Sequence, residues 1–110
     1  MKEMRQYERV GFLCKLELSE VPSGEPQAAR SLDLSFGGVG LVTQSSFSIG
    51  QVVTVTFYFK DVTRREAREQ VVGRIAHLAA DVDANRIGVQ FLQPLTDAEN
   101  PLLAGRLLNE

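Results

Sequence analysis

The sequence predicts an all-β fold: a small antiparallel barrel or sandwich of six strands, followed by one short helix. Apolar and polar residues alternate through most of the chain, which is the period of a half-buried strand. Turn-forming Gly, Pro, Asn and Asp residues separate these stretches at short intervals. Only the C-terminal stretch changes to a helical period. Closing the sheet into a barrel would also remove exposed strand edges.

The N-terminal half contains the first three predicted strands. In VGFLCKLEL, residues 10–18, every second residue from Val10 to Leu18 is apolar, and Lys15 and Glu17 lie on the other face. The proline-containing loop VPSGEP follows it. The second strand is expected from about Ala28 to Ser35. After a glycine bend, GGVGLVT forms the third.

The C-terminal half supplies the other three. VVTVTFYF, residues 52–59, has the strongest strand pattern, because its residues are almost all β-branched or aromatic. The charged stretch KDVTRREAREQ, 60–70, is expected to be a solvated hairpin tip before a strand near 71–78. RIGVQFL, 86–92, alternates again and is the last strand.

The terminal helix is expected to begin at about residue 101. Residues 96–99 resemble a capping box, and Asn100 followed by Pro101 is an equally good N-cap and first helical position. A short turn at 96–99 that leads into the helix satisfies both patterns. The apolar residues with helical spacing are Leu102, Leu103 and Leu107.

Composition and charge argue against several classes of function. The 110 residues carry a net charge of -2, so no overall field would attract nucleic acid or an acidic membrane. The sequence has neither the apolar core of a signal peptide nor an apolar run of about 18 residues. We therefore expect a cytoplasmic protein or domain, with no direct membrane insertion and no nucleic-acid partner.

Candidate catalytic residues are few. The single histidine, His77, lies in a predicted strand, and the single cysteine, Cys14, lies on the apolar face of another, where thiols are inert. One Cys and one His do not supply a zinc site of the usual ligand count. No P-loop or dinucleotide-binding glycine pattern is present. The expectation is no enzyme, no metal and no cofactor.

Two arginines near the N-terminus form a candidate anion site. In RQYER, Arg5 and Arg9 are four residues apart, so they share a side of either a helix or an extended chain. A guanidinium donates two parallel hydrogen bonds to phosphate and stacks on flat π systems such as nucleobases. Alone, the pattern is also typical of a solvated N-terminal face.

The second strand ends in DLSFGG, a further candidate. Leu32 and Leu34 are expected to face the core, so Asp33 and Ser35 should share the outer face, about 7 Å apart. A carboxylate there can accept from the N–H groups of a guanine or hold an arginine, and a hydroxyl can donate to a phosphate or a base. The next two residues, Gly37 and Gly38, let the backbone turn and a ligand approach its N–H groups. The alternative is a tight turn capped by the Asp and Ser, without a ligand.

Together these stretches resemble PilZ domains, which are bacterial receptors for cyclic di-GMP. RQYER fits an R-x-x-x-R motif at Arg5 and Arg9, and DLSFGG fits a [D/N]-x-S-x-x-G motif at Asp33, Ser35 and Gly38. VVGRIAHL and NRIGVQFLQPL resemble the final hairpin of that family. The resemblance extends from the first arginine to the terminal helix. It implies a six-stranded antiparallel β-barrel, a PilZ-like split barrel, followed by a short helix.

The resemblance also implies roles for parts of the chain. The arginines would bind the phosphates and stack on guanine from a mobile segment, residues 1–9, which the ligand orders over the barrel domain, residues 10–110. The aspartate, serine and glycines of DLSFGG would form the second side of the site. Met4 precedes the first arginine; it is a weaker candidate contact and favours one ligand molecule per chain. Arg74 and Arg86, on the last two strands, are weaker candidate contacts, and the alternative is that both are ordinary exposed strand residues.

The leading hypothesis is therefore a cyclic di-GMP receptor module that signals to a downstream protein partner or a fused domain. The alternative is a PilZ-like barrel that acts as a protein-interaction surface without strong nucleotide binding. A barrel that binds RNA or single-stranded DNA ranks third, because it needs a positively charged groove with interleaved aromatic residues. An enzyme ranks fourth.

Overall fold

The structure, a computed structural model, describes residues 7–108, which form seven strands and one helix. The predicted division into residues 1–9 and 10–110 begins outside the described residues and stays a prediction. The strands and helix are β1 (Val10–Gly11), β2 (Lys15–Glu20), β3 (Gln27–Ser35), β4 (Gly38–Thr43), β5 (Val52–Lys60), β6 (Glu66–Ala80), β7 (Asn85–Phe91) and α1 (Pro101–Leu108).

The strands form one closed antiparallel sheet. Neighbours in the ring follow the order β3, β2, β5, β6, β7 and β4, and β4 pairs back onto β3. The short β1 also pairs with β3, on the same edge as β2. Because β1 and β2 together occupy one position in the ring, the molecule is a six-stranded barrel with a C-terminal helix. The predicted fold is confirmed.

The first predicted strand, residues 10–18, is interrupted between β1 and β2. Leu13 bulges outward there and is 78% exposed. The Ser31 hydroxyl bridges the interruption, because it accepts from the Cys14 N–H at 2.9 Å and donates to the Phe12 carbonyl. Phe12 and Cys14 remain buried, so the predicted inward alternation persists across the break.

The alternating apolar residues fill the interior of the barrel. Phe57 is fully buried and meets Phe91 edge-on, with ring centroids 6.4 Å apart. Phe12 and Phe59 meet in the same way at 5.8 Å. Burying a large apolar side chain stabilises the fold by roughly 1.5–3 kcal/mol, so this core provides the main driving force. Further side chains with no exposed area are Leu16, Leu18, Leu34, Leu41, Val53, Val55 and Leu103.

The β5–β6 hairpin is longer than the sequence predicts. The predicted tip covers residues 60–70, whereas β6 already begins at Glu66 and pairs with β5 as far as Lys60. Charged residues can form this part of the strand because their side chains face solvent, while their backbone groups form hydrogen bonds with β5. The remaining tip is held by Asp61, whose side chain accepts from the backbone N–H groups of Thr63 and Arg65. Hydrogen bonding at the tip lowers the pKa of the Asp61 carboxyl.

Helix α1 begins at Pro101, as predicted, but its first N–H groups are capped from the barrel. The Glu69 carboxylate on β6 accepts from the N–H groups of Leu102 and Leu103, at 2.9 and 2.8 Å. The orphan donors of a helix N-terminus are thus satisfied by a residue distant in sequence. In residues 7–108, no helix combines the length and apolar character needed to cross a membrane.

The residue that the sequence offers as N-cap, Asn100, has a different role. It is buried, and its side-chain amide donates to the Gln70 carbonyl at 3.2 Å. The preceding turn forms as predicted, because the Glu99 N–H donates to the Thr96 hydroxyl at 3.1 Å. Asn100 therefore ties this turn to β6 instead of capping the helix with its side chain.

Candidate functional site

A groove of about 630 Å³ crosses the outer face of the barrel. It is lined by β3, β4, β6 and β7 and by residues 7 and 9 ahead of β1. Its volume lies within the range of roughly 300–1,000 Å³ that small-molecule sites occupy. The lining includes Tyr7, Arg9, Leu32, Asp33, Ser35, His77, Arg86 and Gln90, and the glycines at 37, 38, 40 and 88.

Two paired glycines occupy the middle of the groove. Gly40 of β4 lies directly opposite Gly88 of β7. A Cβ atom at Gly40 would lie 2.7 Å from Asp33 Oδ1, and one at Gly88 would lie 3.1 Å from His77 Cδ2. Both distances are shorter than ordinary van der Waals contact, which begins at about 3.4 Å. The missing side chains therefore let Asp33 and His77 lie over the sheet from β3 and β6.

Asp33 is half-buried, and its carboxylate lies in the groove. The Oδ1 atom accepts a hydrogen bond from the Gly40 N–H at 3.2 Å, which fixes the side chain over β4. An ionised carboxylate has about four lone-pair sites, so this bond leaves capacity for further donors. Asp33 can therefore accept from a ligand or an arginine without leaving its position.

Leu32 lies in the groove, whereas the alternation predicts that it faces the core with Leu34. Leu34 is fully buried, but Leu32 is only half-buried. The cause is a β-bulge, because the pairing of β3 with β4 shifts between Ser31 and Asp33. An extra residue in one strand changes which face the following side chains take.

Ser35 is buried, only 7% exposed, instead of facing outward as the sequence predicts. Its hydroxyl accepts from the Gly37 N–H at 3.2 Å and donates to the Gly38 carbonyl at 3.5 Å. Both bonds stabilise the turn between β3 and β4. The residue still lines the end of the groove. Its role in the turn is therefore shown, and its contact with a ligand stays a prediction.

Arg9 is exposed and reaches the groove from the segment ahead of β1. The structure thereby brings the second arginine of RQYER together with the DLSFGG stretch, although the two are distant in sequence. One groove is lined by Arg9, Asp33, Ser35, Gly37 and Gly38.

The other predicted contacts have different outcomes. Arg5 and Met4 lie outside the described residues, so their roles stay predictions. Arg74 is exposed on β6 and is not among the residues that line the groove. Arg86 of β7 does line the groove, so the groove contains a second guanidinium besides that of Arg9.

Sequence reasoning did not identify Tyr7, Gln90 or His77 as groove residues. The position of His77 follows from a second bulge, since the pairing of β6 with β7 shifts between Ile75 and His77. A period-two pattern contains no information about such a shift. The one available indication is a lone histidine within IAHLAA, residues 75–80, whose other members are all apolar.

Cys14 and His77 do not form a catalytic pair. Cys14 belongs to the core, where burial raises the pKa of its thiol above the ordinary value of 9.0, opposed in part by the hydrogen bond with Ser31. His77 is exposed in the groove on the outside of the barrel. Within residues 7–108, no cluster of three or more His, Cys, Asp or Glu side chains is arranged to hold a metal ion.

The sequence of the chain matches a protein-family model. The model describes the PilZ domain, and it matches residues 3–108. This confirms the resemblance that the two motifs indicate. No curated protein sequence matches the chain significantly.

Several solved structures share this fold. The inhibitor of motility MotI/DgrA of Bacillus subtilis superposes with a TM-score of 0.77 at 16% identity, over 99% of this chain and 54% of the other. The PilZ domain of Escherichia coli YcgR with c-di-GMP gives 0.72 at 14% identity, over 97% and 92%. The K. pneumoniae MrkH–c-di-GMP complex gives 0.69 at 15% identity, over 98% and 52%. The chain thus spans about half the length of the first and third of these proteins.

Proposed function

Because the chain belongs to the PilZ domain family, we propose that it is a receptor module for cyclic di-GMP, which binds in the groove. The observation that carries this proposal is that the second arginine of RQYER and the DLSFGG residues line one groove. Two of the structures with the same fold, those of YcgR and MrkH, are described as containing c-di-GMP.

The charge of the groove supports an anionic ligand. Cyclic di-GMP carries two phosphates, and the net charge of the chain, -2, would not attract it. The groove lining differs from the whole chain, because among residues 7–108 it includes two arginines, Arg9 and Arg86, and one carboxylate, Asp33. We propose that Arg9, together with Arg5 of the same motif, binds phosphate oxygens through the guanidinium fork.

The neutral parts of the ligand also have suitable partners. The Watson–Crick edge of guanine presents an N–H and an amino group side by side, and Asp33 lies in the groove with acceptor capacity left over. Gly37 and Gly38 add no side chains of their own to this end of the groove. Across the groove, the imidazole of His77 offers a flat face on which a base can stack.

A titration of the Arg9→Ala variant with cyclic di-GMP tests the proposal. A charge-assisted hydrogen bond contributes roughly 1.5–3 kcal/mol, so we expect Arg9→Ala to weaken binding by at least about tenfold. Arg5→Ala should behave similarly. Isothermal titration calorimetry measures the effect.

Arg65→Ala is the matched control, because Arg65 is exposed at the β5–β6 hairpin tip and is not among the groove residues. Its affinity for the nucleotide should equal that of the wild-type protein. If Arg9→Ala and Arg65→Ala bind equally well, Arg9 is not part of the site. If the wild-type protein does not bind at all, the proposed function is wrong.

A second candidate function is a PilZ-like barrel that contacts another protein without strong nucleotide binding. The observation that favours it is the local role of the motif, because Ser35 and Asp33 both bond the backbone around the β3–β4 turn. Such bonds would maintain the turn even where no ligand binds. The same titration discriminates the two functions, since this one predicts no heat of binding with the wild-type protein.

A further inference from the structure

Tyr7, between the two arginines of RQYER, packs against the turn that joins β3 to β4. Its ring lies 6.4 Å from the ring of Phe36, centroid to centroid, and the planes are tilted by 51°. The side chain is half-buried although it precedes the first strand. The ring also lies over Gly37, so the segment ahead of β1 has a defined contact with the edge of the groove.

Gly37 makes this contact possible for a steric reason. A Cβ atom at this position would lie 2.7 Å from Tyr7 Cδ2 and 3.1 Å from Cε2. The backbone of Gly37 is not in the left-handed region, so the turn itself does not require glycine there. The glycine therefore serves the close approach of the tyrosine ring.

The surface under the ring is held firmly by the barrel. The Phe36 carbonyl accepts from the Leu95 N–H at 2.8 Å, and the Gly37 carbonyl accepts from the Phe91 N–H at 2.9 Å. Phe36 also packs against the hydrophobic core. The ring thus rests on a fixed part of the fold and not on a free loop.

We infer that Tyr7 is a positioning residue for the arginine motif. Its contact with Gly37 and Phe36 sets the path of the chain so that Arg9, two residues later, reaches the groove. The effect of the ring on nucleotide affinity rests on the proposed function. The docking of the ring on Gly37 is independent of that function.

Nucleotide affinity gives the first test, as a double-mutant cycle. An aromatic contact contributes roughly 0.5–1.5 kcal/mol, so Tyr7→Ala should weaken binding of cyclic di-GMP about two- to twelvefold, and Tyr7→Phe should change it little. Gly37→Ala should cause a similar loss because its methyl group displaces the ring. In the Tyr7→Ala background, Gly37→Ala should then cause almost no further loss.

Additive losses would overturn the inference, because they would mean that the new methyl group obstructs the nucleotide and not the tyrosine. Gly11→Ala is the matched control, since a Cβ at Gly11 has no atom within 4 Å. It should leave the affinity unchanged. Thermal unfolding of each variant confirms that the barrel is intact.

Fluorescence gives the second test and needs no nucleotide. The chain has no tryptophan, so a Tyr7→Trp variant contains a single tryptophan, whose emission can be excited selectively over that of the remaining tyrosine, Tyr58. Adding Gly37→Ala should red-shift its emission and increase its quenching by acrylamide, whereas adding Gly11→Ala should not. An NOE between the Tyr7 ring protons and the Gly37 Hα provides the same information in the unmodified chain.

The two tests separate the two claims. Absence of both the fluorescence change and the NOE would overturn the docking of Tyr7, whether or not the protein binds cyclic di-GMP. Failure of the wild-type protein to bind cyclic di-GMP, with the NOE present, would overturn the proposed function and leave the docking supported.

Discussion

The Cys14 thiol lies in the barrel core next to the Ser31 hydroxyl, which bridges the interruption of the first strand. Burial disfavours the thiolate, so the pKa of the thiol is raised above its ordinary value of 9.0. The thiolate is the reactive form of cysteine. The side chain is therefore a structural part of the core, despite being the only cysteine of the chain.

Cys14 should resist alkylation in the native state. We expect iodoacetamide to label it slowly at neutral pH and rapidly in urea, because only unfolding exposes the thiol and restores its ordinary pKa. Mass spectrometry of timed samples measures both rates. Equal rates would show that the thiol is accessible in the folded protein.

The raised pKa of Cys14 also predicts a loss of stability at high pH. The unfolded thiol ionises first as the pH rises, so the free energy of unfolding should begin to fall above the ordinary value of 9.0 and continue to fall until the folded thiol ionises. Urea unfolding of the wild-type protein and Cys14→Ala, on both sides of pH 9.0, measures this component. A parallel pH dependence in the two proteins would contradict it.

Helix α1 depends on a capping carboxylate from β6. Glu69 accepts from two N–H groups of the first helical turn, where a negative charge also complements the helix dipole. Farther along the helix, the guanidinium of Arg106 lies 4.9 Å from the centre of the Phe12 ring and donates to the Lys60 carbonyl. The helix is thus joined to the barrel at both of its ends as well as by the buried Leu103.

Glu69→Ala should lower the free energy of unfolding by about 1–2 kcal/mol, in the upper part of the range for lost helix caps. Glu69→Gln keeps an acceptor and should lose less. Glu66→Ala, an exposed glutamate on the same strand, is the control and should change stability by less than about 0.5 kcal/mol. Chemical denaturation measures all three. A loss as small as that of the control would mean that the cap contributes little.

The closed barrel provides a rigid outer surface for a ligand, since each of the six strands β2 to β7 pairs with two neighbouring strands. If cyclic di-GMP binds only the folded chain, its binding must raise thermal stability. At about 100 times its dissociation constant the expected gain is about 2.7 kcal/mol. GTP and a short RNA should give smaller shifts in the same thermal assay. A larger shift with RNA would favour a nucleic-acid function instead.

The N-terminal segment should respond to the ligand together with the barrel. We expect the amides of residues 1–9 to exchange more slowly when cyclic di-GMP is bound, because the contacts of the arginine motif with the ligand then add to the contact of Tyr7 with Gly37. Hydrogen–deuterium exchange with mass spectrometry measures this directly. Equal protection with and without nucleotide would contradict an order–disorder switch and leave binding itself unaffected.

Local patterns account for most of the fold. Alternation in VGFLCKLEL and VVTVTFYF identified both the strands and the face that each buries, and Leu16, Leu18, Val53, Val55 and Phe57 are indeed fully buried. The two motifs also led to the residues that line the groove around Asp33. By contrast, the sequence predicts a turn where β6 begins. The residues there are mostly charged, so they lack the apolar alternation that indicates a strand.

The strands, their buried faces and the start of the helix follow from the residue order, because apolar periodicity and turn chemistry act between near neighbours in the chain. The form of the groove depends on contacts across the barrel. The bulge beside Asp33 moves Leu32 outward, the bulge beside His77 alters the pairing of β6 with β7, and Gly37 accommodates Tyr7. Each of these features requires a partner from another strand or segment, so it is established only when the barrel has closed.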